Sequence, residues 1–366
     1  MARVAILNSR QTKTPVGSDP WIQNTLAAVD HAVTQGWQIV SSIGLNTWEL
    51  TTWATGVCGG HLFMVLPPTD SNQQVQAQRG ILEDFALNPQ GVEWSFVDRP
   101  PRPERRKSWW AARDESVLRL ADVLMPVSVR PGGRWENLLS QPKAGQTIDD
   151  RFRIPHAPTP HHERSRIHPE DLNSQMRDWG HFLIHWTRSC HGPWPGEKSA
   201  QFYADLAASP GVYCRGALLT LKRILDEQLI RGSAWKIGGG RPVVALSACT
   251  PLEALPLLRW RARWSRWAFE PYGIAIQRDA AMTLGVQPVR YVTEEGWQGL
   301  SSDEAALAHR LGQSEGFWPS EREWRHRGAL DLSVLPSSAI RVIVREPSEV
   351  AALQLVTEAP VFSMLP

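Results

Sequence analysis

The chain has 366 residues, of which 42% are hydrophobic and 21% charged, with a formal net charge of +2 at pH 7. That length is enough for two domains, since a single core rarely grows beyond about 250 residues. No apolar run approaches the roughly 20 residues of a bilayer span, no signal peptide precedes the first strand-like run, and so small a net charge does not by itself imply nucleic acid, so a cytoplasmic protein is expected. Cys58, Cys190, Cys214 and Cys249 are scattered without a CxxC pair, which argues against a zinc ribbon and a disulfide framework.

Residues 3–7 read as a strand, and 21–34 as a helix with Leu26, Val29, Ala32 and Val33 inward. A strand at 37–41 closes at Gly44, a helix at 47–57 ends at Cys58-Gly59-Gly60, and a strand at 61–66 stops at Pro67-Pro68. Segments 73–86, 92–97, 111–120 and 123–129 continue the alternation, which predicts a parallel sheet with crossover helices. After the turn Pro131-Gly132-Gly133, residues 141–180 are rich in Pro, His and charge and are expected to form a linker. Basic runs at 99–107 and 151–166 are local patches that can hold phosphate.

From residue 181 the texture changes. Strands are expected at 183–187, 242–247, 271–276, 286–292 and 339–345, with a helix at 217–228 carrying Leu218, Leu221, Ile224 and Leu225 on one face. The predicted organisation is therefore α/β: a Rossmann-like domain (1–140), a linker (141–180) and a compact α+β domain (181–366).

Tryptophan is over-used, with 18 in the chain against four Tyr. Core packing and base stacking both use such residues. Read as a helix, 259–267 gathers Trp260, Trp264 and Trp267 on one face and Arg259, Arg263 and Arg266 on another. That makes either a Trp stripe buried on a sheet or a nucleic-acid surface.

Three short stretches carry the chemistry. His185 and Thr187 alternate on one strand and so share a face, Tyr272 lies on a middle strand, and Glu321 and Glu323 sit two residues apart. A His-x-Thr strand, a Tyr and a late Glu can bind a nicotinamide nucleotide and stabilise an oxocarbenium-like centre or take an acceptor's proton. The structural alternatives are a core His, a core Tyr beside the Pro271 turn, and a salt-bridged edge strand around Glu321 to Arg325. A metal reading rests on the seven of 11 histidines between His156 and His191. Its weak candidates are His181 and His185, at helical i, i+4 spacing, with Cys190 and His191; the Glu usual in such a helix pair is missing. Cys190 and Cys249 are weaker candidates still, as nucleophiles.

The strand ending Asn8-Ser9-Arg10, the run Gly36 through Ser41-Ser42-Ile43-Gly44, the Gly59-Gly60 pair and the later Arg130-Pro131-Gly132-Gly133 resemble the Rossmann-like domain of DNA-processing protein A and LOG (SLOG) proteins. This resemblance implies a phosphate-holding edge formed by Ser9, Arg10, Ser41, Ser42 and Gly44, with Arg113 and Arg130 supplying charge. The Ser-Gly-Gly-Ala loop of that family is replaced by Ser41-Ser42-Ile43-Gly44, and the phosphoribohydrolase motif Pro-Gly-Gly-x-Gly-Thr-x-x-Glu is absent, so hydrolase chemistry is not expected. The run 183–187, the helix 217–228 ending near Gly232 and the strand 242–247 resemble DarT-like ADP-ribosyltransferases. That resemblance implies NAD as cofactor and ADP-ribosyl transfer to a nucleotide or nucleic acid, DNA included, as in bacterial defence or DNA-modification systems. Two alternatives stay open: a DNA base-modifying enzyme that does not use NAD, and a non-enzymatic nucleotide sensor.

Overall fold

A computed structural model describes residues 1–98, 106–157, 166–262, 265–311 and 319–366. The chain forms two compact units: Met1–His162 with His191–Cys214, and Glu163–Cys190 with Arg215–Pro366. The stretch expected to be a linker is thus shared between the units, and the first unit takes back a later segment.

The first unit is Rossmann-like. Its strands are β1 (Arg3–Asn8), β2 (Gln38–Ser41), β3 (His61–Leu66), β4 (Val92–Phe96), β5 (Val123–Ser128) and β6 (Thr147–Ile148), ordered β4-β3-β2-β1-β5-β6. All five pairings are parallel. The helices are α1 (Pro20–Thr34), α2 (Asn46–Val57), α3 (Ser71–Asp84), α4 (Arg106–Leu120), α5 (Arg134–Leu139) and α6 (Ser199–Ala208). Central strands buried on both faces explain the continuous apolar runs; in β1 every residue from Val4 to Asn8 is buried. Helix α1 starts with Pro20 in its first turn and buries Trp21, Ile22, Thr25, Ala28, Val29 and Ala32, a stripe of helical period. The Val16 amide donates to the Asp19 side chain at its start, and Gly36 leaves it at φ +68°. Residues 147–148 extend the sheet beyond the expected boundary at 140. Their short, exposed strand carries too little apolar pattern to be read from sequence.

The second unit is α+β. Its strands are β7 (Phe182–Trp186), β8 (Leu229–Ile230), β9 (Val243–Ser247), β10 (Trp260–Arg261), β11 (Arg266–Trp267), β12 (Gly273–Gln277), β13 (Gln287–Pro288), β14 (Arg290–Val292), β15 (Ala308–Arg310), β16 (Glu323–Arg327), β17 (Leu330–Asp331), β18 (Ile340–Val344) and β19 (Val361–Ser363). The main sheet runs β13-β16-β9-β7-β12-β18-β19 and is antiparallel except for β18–β19. Its helices are α7 (Ala217–Glu227), α8 (Pro251–Ala254), α9 (Arg278–Thr283), α10 (Glu294–Gln298), α11 (Ser302–Ala306) and α12 (Pro347–Gln354). One core, with Leu183, Leu221, Ile224, Val244, Ile274 and Val342, fills one sheet face; another, with Ile184, Trp186, Ala275 and Ile343, fills the other.

Two sequence expectations change here. In place of the helix expected at 259–267, the described residues there form an antiparallel pair, Trp260 with Trp267 and Arg261 with Arg266. Arg259, Arg261 and Arg263 recur with period two in the sequence, which suits a strand, and Ser265 turns at φ +47°. Arg263 and Trp264 lie outside the described residues, as do 99–105 and His161-His162. The single strand expected at 286–292 is two short ones, β13 against β16 and β14 parallel to β15. No helix is long and apolar enough to cross a membrane among the described residues.

Candidate active site

In the first unit, the predicted phosphate edge is largely occupied by the protein itself. Ser41 Oγ donates to the Trp48 carbonyl (3.2 Å) and bonds the Thr52 hydroxyl (2.9 Å), while Ser42 Oγ donates to the Val65 carbonyl (2.7 Å). Both serines are fully buried. Arg113, 1% exposed, donates to the Ile43 carbonyl (2.8 Å) and to Asp114 (2.7 Å) and lies 4.8 Å from the Trp110 ring. The Gly44 amide, at φ +90°, donates 2.9 Å to the Glu49 carboxylate, whose other oxygen accepts from Tyr203 Oη at 2.9 Å. A carboxylate of α2 therefore sits at the edge where a phosphate was expected.

The rest of that edge stays polar. Strand order reverses between β1 and β5, the place where open α/β sheets take ligands. Buried Ser9 accepts from the Arg130 amide (2.8 Å), and Gln11 Nε2 donates to Ser128 Oγ (2.9 Å), which also bonds His156 Nδ1 (3.0 Å). Burial, with Arg130 nearby, pulls the His156 pKa down. Asn8 Oδ1 has no hydrogen-bond partner among the described residues; Arg10, two residues on, and Arg130, two residues past its β5 partner Ser128, are both exposed.

The second unit holds a denser cluster. His185 Nδ1 lies 2.8 Å from the Ala245 carbonyl, just beyond Ile184–Ser247, the one pair that joins β7 to β9. The ring bridges two strands that part, and burial pushes its pKa down to about 4. A neutral ring donating from Nδ1 leaves Nε2 as an acceptor. Thr187, 1% exposed, binds the Tyr272 carbonyl through its amide, but its hydroxyl has no partner among the described residues. Tyr272 is a core residue, 5% exposed, with its hydroxyl donating 2.9 Å to Glu349.

Register keeps the expected constellation from sharing one face. Glu323 pairs with Ser247, and Ser247 with Ile184, so these three side chains project together and His185 projects from the opposite face. What unites them is Arg188. Arg188 is an exposed residue, yet the atoms crowded around its guanidinium pull its pKa down, a setting we call the Arg188 recess. Glu321, Glu270 and Glu323 pull the same pKa up, and Arg188 in turn lowers that of His185. Among the described residues Arg188 makes no ion pair; its hydrogen bond is a 3.4 Å contact to the Ala268 carbonyl.

Around it, Arg261 pairs with Glu321 (2.7 Å), and Arg266 is pushed down to about 10 by burial and by Arg188 and Arg261. The two carboxyls are driven apart. Burial raises Glu321. Although burial opposes it, Glu323 is held low by His309 Nε2 (2.7 Å) and by Arg325, 2% exposed, at 2.8 Å. Among the aromatics of this neighbourhood are Trp235, 54% exposed with the Arg266 guanidinium 4.1 Å from its ring, and Tyr291, which stacks on His309. Arg188 and His309 had no motif to announce them; Arg261 lay inside the Arg/Trp run 259–267 and Arg325 beside Glu323, and neither pattern named its partner.

The metal candidates do not assemble. His181 and His185 do not share a helix, because 182–186 is strand. No group of three or more His, Cys, Asp or Glu could hold a metal among the described residues. Cys249 is 2% exposed. Arg259 borders the β10–β11 hairpin, whose paired Arg261 and Arg266 belong to the recess.

No protein-family model and no curated protein matches the chain. Among solved structures, DNA processing protein A from Helicobacter pylori, described for its single-stranded DNA binding mode, is similar at 20% identity over 35% of this chain, with a TM-score of 0.24. The match spans about half, 54%, of that protein's chain. A likeness that slight carries no argument about function.

Proposed function

We propose that the second unit binds a phosphate-bearing nucleotide in the Arg188 recess and transfers its ADP-ribosyl group, with NAD as donor and a nucleotide or nucleic acid as acceptor. The observation that supports this best is Arg188 itself: an exposed residue without an ion pair among the described residues, its guanidinium crowded by Arg261 and Arg266. Crowded cations are relieved by an anion, and guanidinium is suited to phosphate. Glu321, raised by burial, suits the general base that takes the acceptor's proton, and Glu323, held ionised, supplies fixed negative charge near a developing cation. The Thr187 hydroxyl and His185 Nε2 are polar groups suited to a ribose or an amide. The choice of NAD rests on the sequence resemblance alone.

Calorimetric titration of NAD and of ADP-ribose into wild type and Arg188→Ala tests the reading. Saturable binding weakened at least tenfold in the variant is expected; absence of binding in wild type, with no release of nicotinamide, would sink it. A second reading, action on a nucleic-acid base without NAD, is favoured by exposed Trp235 beside Arg266. It predicts salt-dependent oligonucleotide binding lost in Trp235→Ala while NAD has no effect. For the first unit we propose a nucleotide-sensing crevice around Ser9, Arg10 and Arg130, and Arg130→Ala in the same titrations separates the two units.

A further inference from the structure

Three consecutive carbonyls lead into β16, and each is taken by a different group of one short segment. The Cys249 thiol donates to the Ser320 carbonyl (3.1 Å), Ser247 Oγ donates to the Glu321 carbonyl (2.6 Å), and the Ala248 amide donates to the Arg322 carbonyl (3.0 Å). The Cys249 amide in turn donates to Ser247 Oγ (3.1 Å), so the serine hydroxyl is fixed from both sides. Between the two carboxylates, Arg322 holds φ +43°, a left-handed conformation that a non-glycine residue occupies at a cost. Its guanidinium is tied to Glu253 and, at 3.5 Å, to the Cys249 sulfur.

The kink has a consequence for the carboxylates. In an unbroken strand, Glu321 and Glu323 would repeat along one row. Here Glu321 ends a 3-10 turn (Pro319–Glu321) and Glu323 opens the strand opposite Ser247. Glu321 reaches Arg261, whereas Glu323 reaches His309 and Arg325. The left-handed residue separates them into two environments.

We propose that segment 247–249 is a three-point clamp that holds the turn at Arg322 and thereby aims Glu321 into the Arg188 recess, with Ser247 as the positioning residue. This deepens the nucleotide reading and rests on it for its functional meaning. The positioning itself can be read without any ligand.

The test is a carbon-13 NMR titration of the Glu321 and Glu323 carboxyls in the full chain, with no ligand added. Glu321 faces Arg188, Arg261, Arg266 and Glu323, so both carboxyls are followed together. In Ser247→Ala, Glu321 is expected to titrate nearer the ordinary glutamate range as it swings toward water, while Glu323 stays low. Ser247→Thr, which keeps the hydroxyl, is expected to retain the wild-type Glu321 titration. An unmoved Glu321 in Ser247→Ala, or both carboxyls moving together, overturns the proposal. Should Ser247→Ala fail to fold, Arg322→Gly and Arg322→Val replace it. Glycine accepts the left-handed angle and should preserve the Glu321 titration, whereas β-branched valine resists it and should shift the titration. A valine variant with wild-type titration would equally defeat the clamp. Failure of NAD to bind leaves these outcomes untouched, so the two readings fail separately.

Discussion

His185 makes stability depend on pH in a direction that can be worked through. Its pKa falls from the usual 6.5 to about 4 because the folded chain buries the ring. Between those values the unfolded chain binds a proton that the folded chain refuses, so stability is full above the unfolded pKa and declines as pH drops toward the folded one. Each tenfold loss of proton affinity is about 1.4 kcal/mol, which puts the whole effect at about 3 kcal/mol at most, less where solvent reaches the ring. The perturbation is His185→Asn, whose amide can still donate to the Ala245 carbonyl but does not titrate. Urea unfolding of wild type and variant across pH 4.5–7.5 is the assay. The wild-type curve should fall away from the variant's by roughly 1–3 kcal/mol below pH 6.5 and run parallel to it above. Parallel curves throughout would refute a half-buried neutral histidine between β7 and β9.

Other consequences follow from the same contacts. Arg325→Ala leaves buried Glu323 and the Ala306 and Ala308 carbonyls without their donor, and should cost about 3–5 kcal/mol in chemical denaturation; a cost under about 1 kcal/mol would contradict a buried ion pair. If Glu321 is the base, the rate of transfer should rise with pH through a limb above the ordinary carboxyl range, because its pKa is raised, and Glu321→Gln should abolish that limb. Glu49→Ala removes the acceptor of the Gly44 amide and the Tyr203 hydroxyl and should lower stability by about 1–3 kcal/mol. An unchanged melting temperature would mean that the carboxylate is not anchoring that loop.

The amino-acid sequence by itself determined the α/β class, because buried parallel strands demand unbroken apolar runs and their crossover helices demand a 3.6-residue period. Both marks are local, and β1 to β5 with α1 and α2 lie close to where those marks put them. It also singled out His185, Thr187, Glu321 and Glu323, since polar groups inside strand-like runs stand out. Tertiary structure alone decided how they relate. Glu323 and His185 project from opposite faces because the β7–β9 and β9–β16 registers say so, and register depends on partners that no local pattern names. The Arg and Trp spacing of 259–267 fits a helix face, while Arg259, Arg261 and Arg263 alone recur as in a strand, and only pairing resolves that ambiguity. Arg188 acquires its character from atoms that Glu321, Glu270 and Arg261 bring from distant parts of the chain. Shifted proton affinities arise from such convergence, and sequence does not record it.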